Sequence, residues 1–186
     1  MKNIVLMGFM GAGKTTIGKK LAKALEYEFI DTDEWIEKEQ GRKISNIFAE
    51  DGEVVFRDME TDLLKRLQGR EEKFVLSIGG GMPVREQNRA LLRNLGIVIY
   101  LKTSKEEIIR RVSGNKNRPL LQGGDLEEKV TNLMNAREQI YVETAHVEVI
   151  SLKELGFFQE IEETGETLEA NSNLKAQVVW EWICEN

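Results

Sequence analysis

Short apolar runs alternate with stretches of helical periodicity along most of this chain. The first run, Asn3-Ile4-Val5-Leu6-Met7, has no polar alternation and stops at Gly8, which predicts a strand buried on both faces. From about residue 14, Ile17, Leu21, Ala24 and Leu25 recur at helical spacing while Lys19, Lys20 and Lys23 fall on the other side, the pattern of an amphipathic helix. Further strands are predicted at 27–31, 74–78, 97–101 and, more weakly, 147–150. Helical patterns occupy 33–38, 44–50, 54–67, 85–94, 104–112 and 126–142. Such alternation predicts an α/β domain, a parallel sheet with helices on both faces. Ligands of such sheets bind beyond the carboxyl ends of the strands, where this sequence places its glycine- and acid-rich motifs.

Composition narrows the picture. The length of 186 residues suits one domain spanning 1–186, and 41% hydrophobic residues are enough to fill its core. A net charge of -6 argues against nucleic acid as the main partner, because phosphate-backbone binding needs a net basic face. Cys184 is the single cysteine, so no intrachain disulfide forms, and a reducing compartment fits. No apolar run approaches the ~20 residues of a membrane span. The apolar stretch of residues 1–10 is too short for a signal peptide and runs into a glycine loop, so a cytoplasmic protein is expected.

The segment Gly8-Phe9-Met10-Gly11-Ala12-Gly13-Lys14-Thr15 fits G-x-x-x-x-G-K-[ST] between a strand and a helix. Glycines there let successive backbone N–H groups turn toward phosphate oxygens, and the helix start adds its positive end. Lys14 is expected to reach the β- and γ-phosphates of ATP, and the Thr15 hydroxyl to bind Mg²⁺. A GTPase would carry N-K-x-D. The near match Asn115-Lys116-Asn117-Arg118 has arginine where the aspartate belongs.

Asp31 and Asp33 close the second predicted strand at i and i+2, so both carboxylates can face the phosphate site. One suits the water shell of Mg²⁺ and the other suits a proton acceptor for an attacking hydroxyl. Alternatively, Asp33 simply caps the helix that follows.

These blocks, in their order and spacing, resemble the shikimate kinases over about residues 3–145. The similarity runs through Gly8 to Gly18, Phe29-Ile30-Asp31-Thr32-Asp33 with Ile36-Glu37, and Ile44 with Ile47-Phe48. It continues in Gly52-Glu53-x-x-Phe56-Arg57-x-x-Glu60, Gly79-Gly80-Gly81, Arg118-Pro119-Leu120-Leu121 and Arg137-x-x-x-Tyr141. The resemblance implies a three-layer P-loop kinase fold with a five-stranded parallel sheet in order 2-3-1-4-5 and a mobile lid. It implies transfer of the γ-phosphoryl group of ATP to shikimate, giving 3-phosphoshikimate and ADP. By the same resemblance, Gly11, Ala12, Gly13, Lys14, Thr15 and Thr16 hold the nucleotide phosphates, Arg111 stacks on adenine, and Arg118 meets the transferring phosphate. Asp31 joins Thr15 in the Mg²⁺ shell, Asp33 takes the shikimate hydroxyls, and Arg57 and Arg137 take its carboxylate. The backbone of Gly79, Gly80 and Gly81 lies against the ring, and a monomer is expected.

The residues support these roles on their own chemistry. A carboxylate is best held by the planar fork of arginine. Arg57 and Glu60 stand i, i+3 on the 54–67 helix, so Glu60 can hold the guanidinium, with Phe56, Met59, Leu63 and Leu67 as the buried stripe. An ordinary surface ion pair is the competing reading for Arg57, and likewise for Arg137 beside Glu138. Residues 113–125, rich in Gly and Asn around Arg118-Pro119, read as a flap able to exclude water when it closes. His146, the sole histidine, is assigned no role. Beyond residue 150 the chain departs from the family: an acidic excursion over 151–172 precedes a helix at about 174–184. A kinase of the same P-loop group acting on another alcohol or a nucleotide, and a nucleotide-binding regulatory module, are the competing readings.

Overall fold

The computed structural model describes residues 2–113 and 125–149. The chain divides into two units, Met1–Val149 and Ile150–Asn186, and the described residues all belong to the first. The excursion at 151–172, the helix at 174–184 and most of the flap, including Arg118, lie outside the described residues.

Five strands form one sheet in the order β2-β3-β1-β4-β5, every neighbouring pair parallel. They are β1 (Asn3–Met7), β2 (Glu28–Asp31), β3 (Phe74–Ser77), β4 (Gly96–Leu101) and β5 (Val147–Val149). Helices α1 (Lys14–Leu25), α2 (Thr32–Gln40), α3 (Ile44–Glu50), α4 (Gly52–Leu67), α5 (Glu86–Leu95), α6 (Lys105–Val112) and α7 (Leu126–Thr144) connect them, with a short 3₁₀ turn at Met82–Val84. Val5 and Met7 point into the larger core with Leu76, Val98 and Tyr100, while Leu6 and Val75 meet Ala22 on the opposite face. Burial on both faces is why the central strands read as unbroken apolar runs.

Helix α1 corrects one expectation. Its buried positions are Gly18 and Ala22, whereas Ile17 is 42% exposed and Ala24 is exposed too. Gly18 explains the rotation: a Cβ there would meet the Phe29 ring at 2.5 Å, so the helix rests on the sheet through its smallest residue. Helix α4 buries Phe56, Leu63 and Leu67 as expected, but Glu60, Thr61 and Leu64 replace the half-buried Met59 in that stripe. Helix α2 begins at Thr32 with Asp31 as its N-cap, so the alternative that Asp33 caps it does not hold. His146 precedes edge strand β5, and its Nδ1 accepts the Val98 N–H at 3.0 Å, a structural position.

Candidate active site

The carboxyl ends of β1, β2 and β3 bring three loops together. After β1, Gly11 and Gly13 take φ of 82° and 93°, the left-handed region that side chains rarely adopt. Gly13 is the N-cap of α1 and offers no side chain, so the first N–H groups of the helix remain for an anion. Ala12 is buried beneath the loop and Thr16 stands exposed on the first turn. Lys14 Nζ arches back over the loop, donating to the carbonyls of Gly8 at 2.9 Å and Phe9 at 3.0 Å. Arg111, on α6, reaches the same loop: its Nη1 donates to Gly11 O at 2.9 Å and its Nε to Glu107. Hydrogen bonds from Arg110 and Arg111 hold the Glu107 carboxyl down to about 2, which keeps it charged and the strut in place.

At the end of β2 the two aspartates divide their tasks. Asp31 Oδ1 accepts the N–H of Asp33 and Glu34 as helix cap, and its Oδ2 accepts the Thr15 hydroxyl at 2.9 Å. The pair expected to share Mg²⁺ is thus already assembled. Among the described residues no group of three or more His, Cys, Asp or Glu side chains is placed to hold a metal. Thr15 and Asp31 are hard oxygen donors, and such a pair fits Mg²⁺ only when substrate phosphates and waters complete its shell.

Asp33, released from capping, turns inward. Among the described residues, Asp33 Oδ1 and Glu60 Oε1 are buried side-chain oxygens without a hydrogen-bond partner. Both converge on the glycine segment after β3: a Cβ on Gly79 would lie 2.8 Å from Asp33 Oδ1 and 3.0 Å from Glu60 Oε1. A Cβ on Gly81 would run into the Arg57 guanidinium. The glycines therefore serve close approach, and a turn alone does not account for them. Burial pushes the Asp33 carboxyl up to about 6; Asp31 adds to the push, and Lys14 and Arg57 oppose it. Burial likewise raises Glu60, against the pull of Arg57.

Arg57 Nη1 donates to Glu60 Oε2 at 2.7 Å, and Glu60 is fully buried, so this is no ordinary surface pair. Glu53 holds the other edge of the guanidinium at 2.9 Å. Arg137, on α7, is 7% exposed. Glu138 pairs instead with Lys102 at 3.0 Å, so the ion-pair reading for Arg137 falls; none of the described carboxylates bridges to it. A buried guanidinium without an anion is costly, and a ligand carboxylate would relieve that cost.

Three residues to which the sequence assigned no role complete the site, Thr32 and Tyr141 within quoted motifs and Asn88 outside them. Thr32 Oγ1 accepts the Gly79 N–H at 3.0 Å, the Tyr141 hydroxyl donates to Gly80 O, and Asn88 Nδ2 donates to Met82 O at 3.0 Å. Thr32 stands between two carboxylates at a strand end, a detectable hint, whereas Asn88 lies in an unremarkable helical stretch. No helix among the described residues is long and apolar enough to cross a membrane.

A family profile described as shikimate kinase matches residues 10–164. The chain is 49% identical over 146 residues to a shikimate kinase of Pelotomaculum thermopropionicum, covering 78% of this chain and 84% of that one. It is 47% identical over 147 residues to a shikimate kinase of Thioalkalivibrio sulfidiphilus, covering 79% and 77%. The solved shikimate kinase of Acinetobacter baumannii in complex with shikimate superposes with a TM-score of 0.77 and 38% identity, covering 100% of this chain and 95% of the other.

Proposed function

This chain belongs to the shikimate kinase family, and we propose that it acts through the residues gathered between the phosphate loop and the glycine segment. The activity is transfer of the γ-phosphoryl group of ATP to the 3-hydroxyl of shikimate, a step toward chorismate and the aromatic amino acids. The observation that carries the residue assignment is the convergence of Asp33, Glu60 and Arg57 on Gly79–Gly81 beside the loop of Lys14.

Shikimate has one carboxylate and three ring hydroxyls. In this reading Arg57 and Arg137 take the carboxylate, and Asp33 takes the hydroxyl that attacks. The hydroxyl oxygen bonds to the γ-phosphorus, the bond to the bridging oxygen of ADP breaks, and the hydroxyl proton passes to Asp33 Oδ1. Lys14 and the N–H groups of residues 11–16 neutralise the phosphates, Arg111 lies against adenine, and Arg118 arrives from the flap at the transferring group. Thr15 and Asp31 would hold Mg²⁺, which when bound shields phosphate charge. A cytoplasmic monomer is the accompanying proposal for its setting. A coupled assay of ADP release tests the whole reading: shikimate should support turnover, and gluconate and nucleoside monophosphates should not. Turnover with one of those and none with shikimate would overturn it.

Two further outcomes follow from the site. Asp33 must be ionised to take a proton, and below about pH 6 it is protonated, so kcat/KM for shikimate should fall as the pH drops through about 6. A profile flat down to pH 4.5 would remove Asp33 as the acceptor. Arg137→Ala removes a charge-assisted bond of roughly 1.5–3 kcal/mol, so the KM for shikimate should rise by roughly 10- to 100-fold while that for ATP barely moves. Parallel rises for both substrates would point to a disturbed fold instead.

A further inference from the structure

The hydrogen bonds of the glycine segment are divided by direction. Its three carbonyls are all committed: Gly79 O accepts Met82 N–H at 3.1 Å, Gly80 O accepts the Tyr141 hydroxyl at 2.5 Å, and Gly81 O accepts Val84 N–H at 3.1 Å. The Gly79 N–H goes to Thr32, but those of Gly80 and Gly81 donate to no described residue. The carbonyls are tied back, and the Gly80 and Gly81 N–H groups are left without a described acceptor, Gly81 lying against the Arg57 guanidinium.

Of the three carbonyl tethers, the Tyr141 contact is the one that comes from a distant helix, 61 residues along the chain. Its ring is 1% exposed and tilts against Tyr100 with centroids 5.2 Å apart, so the phenol is held in place by packing. A trans peptide points its C=O and the following N–H in opposite directions. Fixing Gly80 O therefore fixes the Gly81 N–H. Beyond it, Asn88 grips Met82 O and accepts the Thr61 hydroxyl at 2.8 Å, anchoring the next turn to α4, the helix that carries Arg57. Loss of the phenol alone would leave that anchor intact.

Resting on the functional reading above, we propose that Tyr141 is a positioning residue of the acceptor site. Its hydroxyl orients the Gly80–Gly81 peptide so that the Gly81 N–H meets the substrate oxygen held next to Arg57. Tyr141 touches no reacting atom; it acts through the Gly80–Gly81 backbone, and its hydroxyl also lies beside the Arg137 guanidinium, so the Gly81 amide signal is the readout that separates the backbone route from an effect on Arg137.

Tyr141→Phe keeps the buried ring and removes one hydroxyl. The KM for shikimate should rise about tenfold, because the released Gly80–Gly81 peptide must be re-oriented before its N–H can meet the substrate, with the KM for ATP close to wild type and the melting temperature lowered only by the loss of one buried hydrogen bond. In protein labelled with ¹⁵N-glycine, the Gly80 and Gly81 amide signals should move between wild type and variant without ligand, and move less in the variant when shikimate is added. An unchanged shikimate KM, or equal losses for both substrates with a lowered melting temperature, would overturn the proposal. A wild-type protein inert toward shikimate would sink the functional reading alone, because the unliganded Gly81 signal still reports whether the phenol orients the peptide.

Discussion

Lys14→Met should lower kcat by roughly 10³-fold or more, the loss that accompanies removal of a transition-state charge in phosphoryl transfer. Methionine keeps a stem of similar length, so the variant should fold with its loop intact. What it loses is the ammonium, which in the unliganded chain lies on the carbonyls of Gly8 and Phe9. Those are neutral acceptors within the loop's own arc, and phosphate oxygens would outbid them because both charge and hydrogen bonding favour the move. A second consequence is measurable in the same variant. Lys14 holds the Asp33 carboxyl below where burial alone would put it, so without Lys14 the acid limb of any residual activity should move to higher pH. Single-turnover measurements at saturating ATP and shikimate would check both. A rate within tenfold of wild type would remove the phosphate loop from the chemistry.

Asp33→Asn should cut kcat by roughly 10²-fold or more, the usual contribution of a positioned general base. The amide keeps the shape and one carbonyl oxygen but neither the charge nor the proton affinity, so ATP binding should persist. The stability of this variant carries equal information. Had Asp33 been the helix cap, its loss would destabilise the protein. Asp31 is the cap, and Asp33 instead has a carboxyl whose pKa is raised to about 6 by burial. A group raised in the folded state adds stability below its unfolded value of 3.8 and loses that contribution as the pH climbs through about 6. At pH 8 the charged Asp33 is therefore a cost, and Asp33→Asn should melt no lower than wild type. Thermal unfolding at pH 8 and kcat together decide the matter: a lower melting temperature with near-normal kcat would return Asp33 to a structural role.

Much of this molecule was legible in its sequence because local physics settles it. The run from Asn3 to Met7 into a glycine loop and a helix is one continuous segment, and its strand, turn and helix start depend on neighbours within a few residues. The pairing of Arg57 with Glu60 was legible for the same reason, since i, i+3 spacing on α4 brings them together whatever the helix packs against. The strand order was different in kind. It came from resemblance to a family, because periodicity says that a strand is buried but not beside which other strand it lies.

The sequence by itself determined the elements, the phosphate loop and the residue types available at the sheet's carboxyl edge. Tertiary structure alone decided which face each residue presents and which partner it meets. Helix α1 turned Gly18 rather than Ile17 to the sheet because the Phe29 ring leaves no room for a Cβ. Asp31 rather than Asp33 became the cap because α2 begins directly where β2 ends, leaving the second carboxylate to converge with Glu60 on Gly79. Tyr141 came to hold Gly80, and Arg137 came to be buried without a carboxylate partner among the described residues, because α7 packs across the turn that follows β3. Such contacts join distant parts of the chain, and no spacing rule along a single segment encodes them.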